Sequence, residues 1–451
     1  MTTSRTAIIV LAAGLGTRMK SRLAKVLHPL AGRPMIAHLM STVEGMDPQD
    51  ACVVVGDFMD PVSEAVSPFP TAVQSKRLGT AHAVLAARDS IGDFDGDVLV
   101  LYGDTPLITR DTLDAMLDAR HGDPDPAVVV LGFTPDDPAA YGRLIVGADG
   151  GLDAIVEARD ATDGQLEVAL CNSGVMAIDG KVLWSLLERV GNDNARGEFY
   201  LTDIIELARA DGRACAVVEG DPDELIGINS RIELAQAEAI LQDRMRFQAM
   251  ENGVTMSDPT TVFLGFDTRL GEDVSIGPNV FFGPGSSVGE GATINAFCHI
   301  EGASVLPGAS IGPFARLRPG TTVSEGARVG NFVEVKNAML EPGARVSHLT
   351  YIGDAHIGAG ANIGAGTVTC NYDGYSKSKT IIGKGAFIGS NTALVAPVTI
   401  GDGACVGAGS TVARDVDSDA LALTRARHQQ IDGWAKGNRE RKTAKKAGKN
   451  K

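Results

Sequence analysis

The sequence predicts two domains of different class. The first is an α/β domain with a doubly wound, Rossmann-like sheet. The second is a parallel β-helix of six-residue repeats, and one long helix joins them. Three observations lead there. Over most of the second half an aliphatic residue returns every sixth position, as in Val305, Ile311, Leu317, Val323, Val329 and Val335. Ile382, Ile388, Leu394, Ile400, Val406 and Val412 form another such series, and Leu270, Ile276, Phe282, Val288, Ile294 and Ile300 keep the same beat upstream. The first half instead carries separate, continuous apolar runs. Between the halves, residues 230–252 contain neither Gly nor Pro.

A period of six is neither the 3.6 of a helix nor the 2 of a strand. It fits one short strand plus one corner, with the aliphatic residue pointing into a narrow core. Three such units make a triangular coil of ~18 residues, and stacked coils bury a continuous aliphatic column. The phase slips between Ile300 and Val305, which reads as an adjusted corner. A β-sandwich would alternate with period 2 and does not fit.

At 451 residues the chain exceeds one ordinary core. The expected boundaries are residues 1–231 for the α/β domain, 232–252 for the linker helix and 253–451 for the repeat domain. No run of 18 apolar residues occurs and the N-terminus lacks a signal-peptide pattern, so a cytoplasmic protein without membrane attachment is expected. The net charge of −15 argues against broad nucleic-acid binding. It leaves room for phosphate ligands, which need only a local cluster of cations and N–H groups. Six scattered cysteines without a C-x-x-C pair predict reduced, mostly buried thiols and no zinc site.

In chain order, residues 7–11, 51–56, 97–101 and 127–131 are apolar runs suited to a parallel sheet covered on both faces. Helical segments are expected near residues 80–90, 110–120 and 201–211. In such folds ligands bind at the carboxyl ends of strands. The first strand ends in Leu11-Ala12-Ala13-Gly14-Leu15-Gly16-Thr17-Arg18. Its glycines let the backbone approach a phosphate, but it is neither an ATPase P-loop nor a full dinucleotide fingerprint. Arg18 is suited to grip pyrophosphate with two N–H groups and Lys25 to act as a point charge. The long helix reads as a linker, with a surface helix of the first domain as the alternative. In the repeat domain, residues 370–380 break the beat and must protrude, and an extruded loop commonly lines a binding face. His348, Lys336 and Tyr351 gather just before it, which favours a catalytic histidine over a surface one.

The glycine-rich turn with Lys25, then Gln74, Gly79-Thr80, Tyr102-Gly103-Asp104, Gly142, Glu157, Asn172 and Asn229, resembles the nucleotidylyltransferases that activate sugar phosphates. Residues 315–320, 330–336, 348–351 and 369–374 extend the likeness over nearly the whole chain. The chain is similar to the family that fuses N-acetylglucosamine-1-phosphate uridylyltransferase to glucosamine-1-phosphate N-acetyltransferase.

The resemblance implies a left-handed β-helix, a homotrimer, and an activated sugar for cell-wall and lipopolysaccharide synthesis. It implies that Leu11, Ala12, Ala13, Gly14, Arg18, Lys25, Gln74, Gly79, Thr80, Tyr102, Gly103, Asp104, Gly142, Glu157, Asn172 and Asn229 bind UTP and the sugar nucleotide. Asp104 and Asn229 would hold Mg²⁺, as one ion or two. In the second domain it implies His348 as general base, with Arg318, Lys336, Tyr351 and Asn362 on glucosamine-1-phosphate. Ala365, Asn371, Tyr372, Ser390, Ala408 and Arg425 would line the acetyl-coenzyme A path. Relatives often have Lys where this chain has Leu15, which leaves Arg18 and Lys25 as the expected cations of the triphosphate site. Residues 436–451, rich in Lys and Arg, read as a solvated, disordered tail. The rival readings are a single-activity nucleotidylyltransferase with a structural β-helix, and a non-catalytic sugar-nucleotide sensor.

Overall fold

The computed structural model describes residues 5–138 and 141–447. It separates into two compact units, residues 5–249 with 263–267, and residues 250–262 with 268–447.

The first unit is built on a nine-stranded sheet. Its strands are β1 (Thr6–Leu11), β2 (Asp50–Gly56), β3 (Thr71–Gln74), β4 (Asp97–Tyr102), β5 (Val128–Phe133), β6 (Arg143–Val146), β7 (Leu152–Val156), β8 (Cys171–Asp179) and β9 (Cys215–Glu219). The main path runs β9-β5-β8-β4-β1-β2-β3, with β6 and β7 as a side hairpin on β8. Alternate residues of β1 serve opposite faces: Ala7 and Ile9 join one buried cluster, Ile8 and Val10 the other. Both faces are covered, which is why these strands read as unbroken apolar runs.

Besides the side hairpin, one strand of the main path departs from the parallel-sheet expectation. β8 lies antiparallel between β4 and β5, with a register shift between Asn172 and Met176. A strand buried on both faces looks the same in sequence whichever way it runs. β1 pairs with β2 on one side and β4 on the other, both parallel. The chain order therefore reverses between β1 and β4, and their carboxyl ends, Leu11 and Tyr102, lie side by side. That reversal opens the crevice where such folds bind ligands.

The long helix spans Arg231–Glu251. Glu233 reaches back to accept from the Ser230 N–H at 2.7 Å, as in a capping box. Up to residue 249 the helix groups with the first unit. There Gln242 exchanges two hydrogen bonds of 2.8 Å with the Leu264 backbone, and Arg244 donates to the Leu107 carbonyl at 2.7 Å.

In the second unit the six-residue beat becomes three stacked columns. Ile276, Ile294, Ile311, Val329, Val346, Ile363, Ile388 and Val406 pair in register from coil to coil. Phe282, Ile300, Leu317, Val335 and Ile352 form the second column. Val288, Val305, Val323, Leu340, Ile357, Ile382 and Ile400 form the third. All are buried, and all the pairs are parallel.

The slip at Ile300–Val305 is a shortened corner, turned by Gly302 at φ +54°. The same corner lies at Gly320, Asn337 and Asp354, each with positive φ. Residues 370–380 leave the coil, as expected. Tyr375 is almost fully exposed, and Tyr372 bridges Lys377 across a small hairpin. The basic C-terminal segment differs from expectation. Trp434–Ala447 is a helix with no buried residue, and the high helix propensity of its Ala, Lys and Arg accounts for it. The last residues of that tail, 448–451, lie outside the described ones.

Candidate active sites

In the first unit the turns after β1 and β4 face the same crevice. Gly16 takes a left-handed conformation (φ +62°), and a Cβ there would run into the Lys25 side chain. The bare turn thus lets Lys25 pass beneath it. The Lys25 ammonium binds the Asp104 carboxylate and lies 3.2 Å from Asn229 Oδ1. Three residues from three distant parts of the chain meet at this one cation. The Asn229 strap is held by the Ile228 N–H donating to the Asp104 carbonyl at 2.9 Å.

A cavity of 230 Å³ opens here, lined by Leu11–Gly14, Lys25, Val26, Gln74, Arg77, Gly79, Thr80, Ala83, Tyr102, Asp104 and Glu198. Gln74 is buried and spends its amide N–H on the Gly79 carbonyl at 3.0 Å, which fixes the turn behind it. Gly103 lies beneath the surface, its N–H donating to the Leu11 carbonyl at 3.0 Å. A second cavity of 290 Å³ shares Thr80, Tyr102 and Glu198 with the first and adds Tyr141, Gly142, Glu157, Asn172 and Arg196. The crevice therefore has two adjoining compartments, one beside the glycine-rich turn and one beside β8.

Burial pushes the Glu157 carboxyl up, against the pull of Arg196. Burial also raises the Tyr102 phenol, and Asp104 and Glu157 raise it further. Arg18 does not line either compartment. It stands exposed on the short helix Thr17–Met19, and its charge helps Ser230 hold the Glu233 carboxyl low despite partial burial. Arg77 occupies the cleft instead, and the sequence reading missed it.

The donor set suits a hard divalent cation. Asp104 and Asn229 aim a carboxylate and an amide oxygen at one point, which the Lys25 ammonium now occupies. Among the described residues no cluster of three His, Cys, Asp or Glu side chains exists to enclose a metal. An ion held by these two oxygens would complete its shell with water and phosphate oxygens, as Mg²⁺ prefers.

In the second unit, neighbouring coils bring the expected residues together. Asn331 and His348 are in register, and His348 Nδ1 lies 2.6 Å from Asn331 Oδ1. An amide oxygen only accepts, so Nδ1–H is the donor of this contact, which in the neutral ring leaves Nε2 as the acceptor. One six-residue unit on, Asp354 sits between Asn337, at 2.6 Å, and Asn371, both donating to it. Lys336 lies 3.6 Å from the same carboxylate. Burial works against the Asp354 charge, but these hydrogen bonds and the charges of Lys336 and Lys377 hold its pKa below the usual range. Lys377, from the protruding loop, has its own pKa lowered by Lys336 beside it. Two ammonium groups thus face one carboxylate, leaving positive charge for an anion. The sequence reading passed over Lys377 because the loop has no period.

Arg318 pairs with Glu334 at 2.9 Å, and Glu334 is in register with Tyr351. Tyr351 folds its ring over Gly353, where a side chain would strike it. Asn362 is half-buried, in register with Arg345 and Phe387. Ala365, Ser390 and Ala408 occupy one corner on successive coils. Their carbonyls accept from Asn391 N–H (2.7 Å), Gly409 N–H (2.8 Å) and the Arg425 guanidinium (2.9 Å). Arg425 is thereby tied to the end of that row. Tyr372 is exposed, and its hydroxyl donates to the Gly374 carbonyl at 2.6 Å.

These two sites define a class: a nucleotidyltransferase joined in one chain to a hexapeptide-repeat acyltransferase. Residues 8–162 match the MobA-like NTP transferase domain family, and residues 267–302 and 379–414 match the six-repeat bacterial transferase hexapeptide family. Bifunctional protein GlmU of Paramagnetospirillum magneticum is 61% identical over 449 residues, covering 100% of both chains. The protein of that name from Rhodospirillum rubrum is 62% identical over 96% of this chain and 97% of its own. That from Agrobacterium fabrum is 52% identical over 98% of each. The chain belongs to the bifunctional GlmU family. It is an enzyme with uridylyltransferase and acetyltransferase activities. No helix among the described residues is long and apolar enough to cross a membrane.

Proposed function

We propose that the second unit acetylates glucosamine-1-phosphate from acetyl-coenzyme A, and that the first transfers UMP from UTP to the N-acetylglucosamine-1-phosphate so made. One observation carries this reading over a single-activity enzyme with a structural β-helix. Supporting it, the coils of the second unit carry His348, with Nδ1 turned to Asn331, and two lysines, Lys336 and Lys377, close enough that Lys336 lowers the pKa of Lys377. Acetyl transfer to a phosphorylated amine needs both.

In that reaction the neutral amine attacks the thioester carbonyl. His348 Nε2 takes the amine proton as the C–N bond forms, and Asn331 stabilises the resulting imidazolium through Nδ1–H. The C–S bond breaks, and the proton held on Nε2 passes to the departing thiolate, so that coenzyme A leaves as its thiol and His348 is neutral again. Lys336, Lys377 and Arg318 bind the sugar phosphate, with Tyr351 and Asn362 beside the ring. The axial row of Ala365, Ser390 and Ala408, ending at Arg425, offers a rail for the pantetheine and nucleotide of coenzyme A. Asn371 and Tyr372 close the acetyl end.

In the first unit a phosphate oxygen of N-acetylglucosamine-1-phosphate attacks the α-phosphorus of UTP, and pyrophosphate departs. The nucleophile is already anionic, so no base is needed, and the work is positioning and charge neutralisation. The turn Leu11–Gly14 and Lys25 face the phosphates, and Gln74, Gly79 and Thr80 face the base. Gly142, Glu157 and Asn172 take the sugar in the second compartment. Mg²⁺ held by Asp104 and Asn229 would supply further neutralisation of the phosphate charge. A cytoplasmic homotrimer with a left-handed β-helix is the assembly that fits this reading, and solution mass tests the oligomer.

The functional test supplies intact protein with each substrate pair. Thiol release from acetyl-coenzyme A with glucosamine-1-phosphate, and pyrophosphate release from UTP with N-acetylglucosamine-1-phosphate, are both expected. Pyrophosphate release without any thiol release would replace this reading with the single-activity one.

A further inference from the structure

We infer that Arg77 is a phosphate-binding residue of the nucleotide site, gripping the polyphosphate tail of the nucleoside triphosphate. The inference rests on the UTP reading of that cleft. Two cations line the compartment beside the glycine-rich turn, Lys25 and Arg77. The Lys25 charge is committed to Asp104. Leu15, at the tip of the turn, is exposed and brings no charge, and Arg18 stands outside the lining.

Arg77 is held by one edge only. Its Nε donates to the Ala13 carbonyl at 2.7 Å. Among the described residues neither Nη1 nor Nη2 has a hydrogen-bond partner, and no carboxylate pairs with the guanidinium. Gly56, at the end of β2, leaves room for the guanidinium where it lies; a Cβ there would push Arg77 Nη2 aside. A purely structural anchor of the turn would use Nε and have no need of a charged fork over the cleft. A fork with two unpaired N–H edges beside Gly14 is the donor arrangement that holds phosphate oxygens bidentately. Anchoring to Ala13 also orders the side chain before the ligand arrives, which lowers the entropy lost on binding.

The test uses intact protein carrying Arg77→Gln, Arg77→Lys, or Arg77→Gln with Leu15→Lys. Gln keeps an N–H for the Ala13 carbonyl but removes the charge. Arg77→Gln is expected to raise KM for UTP on the order of tenfold to a hundredfold, with an unchanged melting temperature. KM for N-acetylglucosamine-1-phosphate should not move. Arg77→Lys should retain part of the affinity, and the added Leu15→Lys should recover part of it by returning a cation to the turn. Calorimetry with pyrophosphate alone reads the same site without turnover, so it judges Arg77 even if wild-type protein were to process no UTP. Loss of pyrophosphate affinity in Arg77→Gln supports the inference. Unchanged affinity for both pyrophosphate and UTP overturns it and leaves Arg77 as an anchor of the turn.

Discussion

In the first unit Lys25, Asp104 and Asn229 reach one point from turns far apart in the chain. In the second, Asn331 and His348, or Asn337, Asp354 and Asn371, meet because they hold equivalent places on neighbouring coils. A doubly wound sheet collects its chemistry at strand ends, where the loops are independent of the core. A β-helix carries its chemistry on the same short strands and corners whose inward residues form the core. Removing a side chain in the first site should therefore spare the fold, whereas damage to the core of a coil that carries the second site should reach both fold and chemistry.

The largest effect tests that coupling. Ile388 is fully buried in the column between Ile363 and Val406. Ile388→Asp leaves an unpaired buried carboxylate, costing about 3–5 kcal/mol or more, and should unfold the adjacent coils with loss of acetyl transfer. Uridylyl transfer should survive. Unchanged melting of the second unit would break the comparison. Next, chelation of divalent ions, or Asp104→Ala, should abolish uridylyl transfer and spare acetyl transfer. Equal loss of both would mean that the two chemistries are not separable. Third, His348→Ala should lower acetyl turnover by ~10²–10⁴ and leave binding of acetyl-coenzyme A and uridylyl transfer near wild type. Near-normal acetyl turnover in a folded variant would remove His348 from the role of base.

The smallest effect concerns Asp203, on the short helix Leu201–Asp203. Burial, and then Glu206 and Asp160, push its carboxyl up to about 6. The folded chain thus holds this proton to higher pH than the unfolded chain does. Its contribution favours folding at low pH and declines as pH rises from the ordinary carboxylate range to about 6. Asp203→Asn should remove that decline and stabilise the protein near neutral pH by about 1 kcal/mol, allowing for partial exposure. Denaturant titrations on either side of the shifted pKa measure it, and an identical pH slope in the variant would rule it out.

The repeat unit was legible because one inward aliphatic residue per strand writes the coil directly into the sequence. The strand ends bearing Leu11 and Tyr102 were legible for a similar reason, as long apolar runs stopping at glycine. Direction was not: the run within Cys171–Asp179 reads alike parallel or antiparallel. Side chains on irregular turns were also poorly read. Arg18 and Arg77 both sit in aperiodic segments, and nothing in their spacing tells which guanidinium turns inward. Backbone path decides it, with Gly16 passing Lys25 beneath the turn and Gly56 leaving space for Arg77. Lys377 and the C-terminal helix were missed alike, since neither repeats nor buries a face.

The corner rows of the β-helix set how its length is free to change over evolutionary time. Coils before Ile311 hold none of the residues assigned to chemistry, so a whole coil added or lost there would leave every later rung in register. From Asn331 to Arg425 the turns of the solenoid carry the residues of the proposed acetyl-transfer site, each at a fixed height. A coil deleted there would part His348 from Asn331, or Lys336 from Lys377. Duplication and deletion are thus tolerated at one end of the repeat and forbidden at the other, although the hydrophobic pattern is the same throughout.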